Sequence, residues 1–240
     1  MARGRGSRSG SGDGIGDGGS RRQAERVRTA RRRKIGSTRW LHRQLNDPYV
    51  QQARKDGYRS RAAYKLRQID DRFKLLRPGL RVIDLGAAPG GWTQIAVERV
   101  RPEQSGGRVV AFDIAEIAPI GGAVIVQGDL FDAQAPDELR AAVAGAADVV
   151  LCDMAAPATG HAPTDHLRTL ALSEAALAFA CDVLTDGGAF VVKVLQGADE
   201  PAFFSALRER FEGVRRIKPP ASRSDSTELY IVATRFKGAE

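Results

Sequence analysis

The sequence predicts an α/β protein with a mostly parallel sheet covered by helices on both faces, and two observations carry that prediction. Beyond Pro78-Gly79, short β-branched runs recur, each ending at a polar or glycine residue, with helical stretches between most of them. The runs are almost continuously apolar, as strands buried on both faces are, whereas a half-exposed sheet would alternate. A third observation concerns function. Successive strand ends carry Asp84 with Gly86, then Asp113, Asp129, Asp153 and Lys193, and in open sheets of this kind a ligand lies beyond the carboxyl ends of the strands. Core packing does not call for four acids and a lysine there.

Taken in order, residues 1–20 are mostly Gly, Ser and Arg, too poor in apolar groups to offset the entropy of ordering, so disorder is expected. Residues 21–34 read as a basic arm, and the tail is taken to run to residue 36. A single domain over 37–240 follows, with a basic helical part at 37–78 and the core at 79–240. Asn46-Asp47-Pro48 reads as a cap followed by proline in the first turn of a helix to about Lys55. Ser60 is expected to cap a second helix over 61–73, whose Ala63, Leu66, Ile69 and Phe73 recur at three- and four-residue steps. The strands are then 81–86, 107–114, 123–129, 148–153, 188–195 and 228–236, and the helices 92–100, 136–144, 165–184 and 200–211.

The 240 residues give a core of useful size beside the tail. No apolar run approaches the roughly 18 residues that span a bilayer, and the start lacks the apolar region of a secretory signal. A mitochondrial presequence is also Arg- and Ser-rich, but the glycines with Asp13 and Asp17 argue against one. The expected compartment is the cytoplasm, with the mitochondrial matrix as the alternative. Cys152 and Cys181 make neither a disulfide framework nor a zinc site and fit a reducing compartment. His42, His161 and His166 lack ligand spacing, so no metal is expected.

Charge is segregated. Residues 1–34 hold eleven Lys and Arg against three acids, residues 35–81 hold twelve against four, and residues 82–240 hold fourteen against twenty-two. The net +8 therefore hides a basic N-terminal third joined to an acidic remainder. Such polarity suits a polyanion at one end and a cationic ligand at the other.

The first strand leads into Asp84-Leu-Gly-Ala-Ala-Pro-Gly-Gly-Trp92. Glycines at 86, 90 and 91 let the backbone turn sharply and approach a ligand. The dinucleotide spacing G-x-G-x-x-G fails, because residue 88 is Ala and Pro89 removes a donor. Asp113 is positioned to accept from both hydroxyls of a ribose, and Asp129 to take an adenine amino group. Asp153 faces the same crevice. Lys193 lies in the apolar run Val191-Val192-Lys193-Val194, where desolvation favours the uncharged amine and makes it a candidate base.

Arg59-Ser-Arg-Ala-Ala-Tyr-Lys65, the Pro-Gly-Gly-Trp turn, Asp153-Met154, Val191-Val192-Lys193-Val194-Leu195-Gln196-Gly197 and Glu228-Leu-Tyr-Ile-Val-Ala233 resemble the FtsJ family of ribosomal RNA 2′-O-methyltransferases, of the RrmJ and RlmE type. The resemblance covers about residues 39–236, in order. One departure is Ala155-Ala-Pro-Ala-Thr-Gly160, where many members have Ala-Pro-Asn. The resemblance implies a Rossmann-like methyltransferase fold with a seven-stranded sheet and an antiparallel last strand. It implies S-adenosyl-L-methionine as cofactor, with Gly90 and Trp92 contacting it, Asp113 at its ribose, Asp129 at its adenine, and Asp153 also at its site. Lys65, Asp153, Lys193 and Glu228 would form a catalytic tetrad.

The implied reaction is methylation of the 2′-hydroxyl of a uridine in large-subunit (23S) ribosomal RNA, with the assembled large subunit as expected partner and a monomeric enzyme. Lys193 would be the general base, Lys65 a second cation favouring its neutral form, and Asp153 and Glu228 would orient the amines and the hydroxyl. Arg208, Arg210, Arg215, Arg216, Lys218 and Arg223 would add to RNA binding, with Tyr49, Tyr58 and Tyr64 as candidate stacking residues, of which Tyr64 is rather expected to pack in the core. The alternatives are a 2′-O-methyltransferase of tRNA or another RNA, and a catalytically idle RNA-binding ribosome-assembly protein on the same fold. The intact tetrad argues against the idle protein.

Overall fold

Asp47 opens the folded core as a helix cap: its side chain accepts from Tyr49 N at 3.0 Å, and Pro48 takes the first helical position, where no amide hydrogen is needed. The computed structural model describes residues 45–197 and 200–238. The chain divides into units Met1–Asn46 and Asp47–Glu240, and the elements below belong to the second. The expected tail 1–36, the basic arm within it and His42 lie outside the described residues.

Helix α1 (Pro48–Asp56) ends at Gly57 in the left-handed region, and α2 (Ala62–Phe73) follows. Ser60 does not cap α2. The cap position is Arg61, without a side-chain cap bond, and the Ser60 hydroxyl is buried and hydrogen-bonded to no described residue. Its Oγ is turned instead toward Gly91, where an added Cβ would stand only 2.4 Å from it. Close approach of two backbones, rather than capping, decides this serine's environment.

The described residues form one seven-stranded sheet. Its strands are β1 (Arg81–Leu85), β2 (Arg108–Asp113), β3 (Ala123–Gln127), β4 (Ala147–Cys152), β5 (Leu184–Leu195), β6 (Phe211–Ile217) and β7 (Glu228–Phe236). Their order is β3-β2-β1-β4-β5-β7-β6; the first five are parallel and β7 runs antiparallel to both neighbours. Between the strands lie α3 (Gly91–Val100), α4 (Pro102–Ser105), α5 (Ala135–Val143), α6 (Ala162–Val183) and α7 (Glu200–Arg210). One face of the sheet buries Val82, Val109, Val149, Val191 and Val232 against α2 and α3 through Leu66, Ile69, Trp92 and Ile95. The other buries Ile83, Val110, Val150 and Val192 against Leu139, Phe179 and Leu207 of α5, α6 and α7. Successive strand residues point to opposite faces, so both faces are apolar and the alternation expected of a solvated sheet is missing.

Strand β6 and the short α4 were not anticipated in the sequence, and β5 begins at Leu184, four residues before the expected strand. Strand β6 reads Phe-Glu-Gly-Val-Arg-Arg-Ile and buries Phe211, Val214 and Ile217, a three-residue spacing that disguises an edge strand. Strand β1 pairs with both β2 and β4, so the following connections diverge on either side of it. That divergence opens a crevice at the carboxyl ends of β1 and β4. Among the described residues no helix is long and apolar enough to cross a membrane.

Candidate active site

A cavity of about 620 Å3 occupies that crevice, within the roughly 300–1,000 Å3 usual for small-molecule sites. Gly86 and Ala88 line it from the β1–α3 turn, Asp113 and Ile114 from the end of β2, Asp129 and Phe131 from beyond β3, and Asp153 and Met154 from beyond β4. Ile114 and Phe131 are 68% and 63% exposed, leaving apolar surface at the mouth. Asp113, Asp129 and Asp153 share the lining with Arg168, so the wall carries a surplus of negative charge.

Both oxygens of Asp113 are engaged by backbone: Oδ2 accepts from Ala88 N at 2.9 Å and Oδ1 from Ala115 N at 2.8 Å. Asp129 Oδ1 accepts from Phe131 N at 3.1 Å. Each oxygen retains a further lone pair for a ligand. An apolar slot, three carboxylates and room for a nucleoside fit a cationic sulfonium cofactor such as S-adenosylmethionine.

Gly90 and Trp92 are not among the residues lining the cavity. Trp92 is 2% exposed, donates its indole N–H to Ala62 O at 2.9 Å and packs on Tyr230 with ring centroids 5.5 Å apart. Its side chain joins α2, α3 and β7 in the core. Asp84 lies beneath the crevice, with Oδ2 accepting from Thr93 Oγ1 at 2.6 Å. Burial pushes its carboxyl up to about 7; the Thr93 hydroxyl opposes the rise, and the nearby Asp153 and Asp113 charges add to it.

The four residues expected to act together are brought together. Lys193 Nζ lies 2.9 Å from Asp153 Oδ1 and 2.6 Å from Asp153 O, and Lys65 Nζ lies 2.6 Å from Glu228 Oε1. Tyr230, which the sequence reading missed, joins the two pairs. Its hydroxyl donates to Asp153 Oδ1 at 2.8 Å and accepts from Lys65 Nζ at 3.0 Å. The signal was present in the sequence: Glu228 and Tyr230 are two apart in a strand and so share a face. Strand register completes the arrangement by setting Tyr230 opposite Lys193 and Glu228 opposite Leu195. Ser222, also missed, donates to Glu228 Oε1 at 3.1 Å.

Burial alone would raise the Asp153 carboxyl, but the Lys193 and Lys65 charges outweigh it and hold the group below the usual carboxylate range. Burial, then the Asp153 and Glu228 charges, raise the Tyr230 phenol well above its ordinary value, which keeps it a donor. The network is therefore built around an Asp153 carboxylate that the two lysines hold in its charged form at neutral pH, and which also faces the cavity.

Several of the residues named for RNA binding also make contacts within the fold, and Tyr64 packs in a core as expected. Tyr64 packs on Tyr49 and Tyr58 with centroids 5.5 Å and 5.6 Å apart, and the Tyr58 and Tyr64 hydroxyls donate to Glu98 and Asp56, so the three rings form a satellite core. Arg216 pairs with Glu200 and lies over Phe204. Lys218 donates to the carbonyls of Ser224 and Ser226.

An open sheet with an acidic nucleoside-sized crevice, and a lysine–carboxylate network at its edge, defines a methyltransferase using S-adenosylmethionine. Comparison with known proteins agrees. The FtsJ-like methyltransferase model matches residues 58–236. The chain is 58% identical over 225 residues to the ribosomal RNA large subunit methyltransferase E of Paramagnetospirillum magneticum, covering 92% of each chain. It is 56% identical over 221 residues to the protein of that name in Rhodospirillum rubrum, covering 92% of this chain and 84% of the other. A crystal structure described as that of a ribosomal RNA methyltransferase from Plasmodium falciparum superimposes with a TM-score of 0.68 at 27% identity, covering 76% of this chain and all of that one. The chain belongs to the FtsJ-like methyltransferase family.

Proposed function

We propose that the protein methylates the 2′-hydroxyl of a uridine in large-subunit (23S) ribosomal RNA, with S-adenosylmethionine as donor. The observation that carries the reading is the double role of Asp153. It lines the donor cavity and pairs with Lys193, which brings a basic amine to the side of the crevice where a donor and an acceptor would meet. The relatives' names support ribosomal RNA of the large subunit as the substrate.

When bound, S-adenosylmethionine supplies an electrophilic methyl group on a positively charged sulfur. The cavity's carboxylates hold that cation, with Asp113 at the ribose and Asp129 at the adenine; Gly90 and Trp92 support the turn from outside the lining. A ribose hydroxyl is a weak nucleophile and needs its proton removed as it attacks. Lys193 Nζ, in its uncharged form, takes that proton. Asp153 and Tyr230 fix the direction of the amine, and the Lys65–Glu228 pair is tied to them through the Tyr230 hydroxyl. Alignment is the larger part of the contribution, since positioning alone supplies on the order of 7–11 kcal/mol. Uniform attraction between the acidic wall and the donor favours binding and does not itself speed the step.

The substrate is read as RNA within the assembled large subunit, and the enzyme as a monomer of the cytoplasm; the relatives' ribosomal substrate supports that compartment. The basic tail 1–36 and the basic part 37–78 bind RNA phosphate. The test is labelled methyl transfer to large subunits that lack the modification, with free 23S RNA and tRNA as parallel acceptors and mapping of the nuclease-resistant linkage. Label in a uridine of the subunit sustains the proposal. Label confined to tRNA would replace the substrate, and no label in any acceptor would leave an RNA-binding protein.

A further inference from the structure

The connector between α1 and α2 reaches across the fold through one side chain. The Arg59 guanidinium donates to Pro89 O at 3.1 Å in the β1–α3 turn, and to Ala118 O at 2.6 Å and Pro119 O at 2.7 Å in the β2–β3 loop. Its own amide donates to Gln94 Oε1 at 2.8 Å, and Gln94 Nε2 returns to Gly57 O at 3.0 Å. The connector is thus tied to α3 as well.

Asp113 bridges the same turn and the same loop a second time, through Ala88 N and Ala115 N. A small apolar cluster lies among these segments: Ala87, Ala111 and Ile117, with Ala88, Ile120 and Ile125 packed against it. The packing is tight at Gly90, whose φ is 112° and where a Cβ would stand 2.5 Å from Ile120 Cδ1 and 3.1 Å from Arg59 Nη1. Two clamps therefore hold one pair of segments, a guanidinium and a carboxylate that also faces the cavity.

We infer that Arg59 is a positioning residue for the donor site: by fixing the β2–β3 loop against the β1–α3 turn, it sets the direction of the Asp113 carboxylate. The inference rests on the proposed role of Asp113 toward the donor's ribose. The physical reason is that each Asp113 oxygen takes its amide hydrogen from a different segment. A slip of the loop lengthens one bond and rotates the carboxylate, and hydrogen bonds weaken steeply once angles fall. A planar guanidinium with several donors in a fixed fork sets both separation and orientation, whereas an ammonium on a flexible stem sets neither.

The test is calorimetric titration of the full chain with S-adenosylhomocysteine, as wild type, Arg59→Ala, Arg59→Lys, Asp113→Asn and the Arg59→Ala/Asp113→Asn double variant. Asp113→Asn is expected to weaken binding about tenfold, and Arg59→Ala alone by about fivefold, with Arg59→Lys between Arg59→Ala and wild type. In the Asp113→Asn background, Arg59→Ala should add less than about twofold, because residues acting through one another are not additive. Hydrogen exchange at the Ala88 and Ala115 amides should quicken in Arg59→Ala. Unchanged affinity in both Arg59 variants beside a weakened Asp113→Asn would overturn the inference alone, as would fully additive losses. Unchanged affinity in Asp113→Asn would overturn the donor reading and the inference with it. Should Arg59→Ala fail to fold, Arg59→Lys and an Arg59→Lys/Asp113→Asn double variant carry the same comparison.

Discussion

Lys193 Nζ reaches both the carboxylate and the backbone carbonyl of Asp153, at 2.9 Å and 2.6 Å, so one residue fixes the amine from two directions. Replacing Lys193 by Ala removes the proposed base and leaves a buried carboxylate with one donor fewer. Methyl transfer to the large subunit should fall below detection, while S-adenosylhomocysteine affinity stays within about threefold of wild type. Urea denaturation should show a loss of about 1–3 kcal/mol, the range for a buried polar group deprived of a partner. Survival of most of the activity would remove Lys193 from the mechanism.

Tyr230 joins the Lys193–Asp153 pair to the Lys65–Glu228 pair through its hydroxyl. Tyr230→Phe keeps the ring against Trp92 and deletes only that link. Stability should drop by about 1 kcal/mol, as for one hydrogen bond. The turnover number should decline severalfold, well short of the Lys193→Ala loss, with donor affinity unchanged. Equal losses in the two variants would make the phenol as indispensable as the amine and would end its reading as a supporting link.

Asp84 gives the fold a pH dependence of defined sign. Its folded carboxyl titrates at about 7 against an ordinary 3.8, so the folded state binds the proton more tightly than the unfolded chain. Its stabilising contribution is full below about pH 4 and is lost as pH rises through about 7. Asp84→Asn should abolish that loss: the stability difference between variant and wild type grows in the variant's favour from pH 4 to 7. A difference that stays flat across that interval would mean that Asp84 is ionised throughout.

The eleven basic residues before position 35 predict a salt-dependent share of RNA binding. Deleting residues 1–34 should weaken affinity for large-subunit RNA and flatten its dependence on salt by about 0.7–0.9 for each phosphate that the shortened chain no longer neutralises. The thermal transition should be unaltered. An unaltered slope would leave that segment without a part in RNA binding.

Much of the site was legible because strand ends announce themselves: an apolar run closing on an acid locates a group at the rim of a parallel sheet. Asp113, Asp129 and Asp153 were found in this way, and all three line the cavity. The core packing of Trp92 was not legible, because an aromatic after a glycine turn looks the same whether it faces a ligand or the core. Ser60 was misjudged because a cap and a close backbone approach both favour a small residue. Strand β6 was overlooked because its buried residues recur at three, not two.

Local periodicity and the segregation of charge along the chain settled the α/β class, the ligand-bearing rim and the division between a basic and an acidic part, since burial of an apolar face is a property of neighbouring residues. The insertion of β7 between β5 and β6, the seating of Tyr230 opposite Lys193, and the Arg59 clamp came only from the folded chain. Those contacts join residues tens of positions apart, and nothing in local pattern specifies which distant strands pair or in what register.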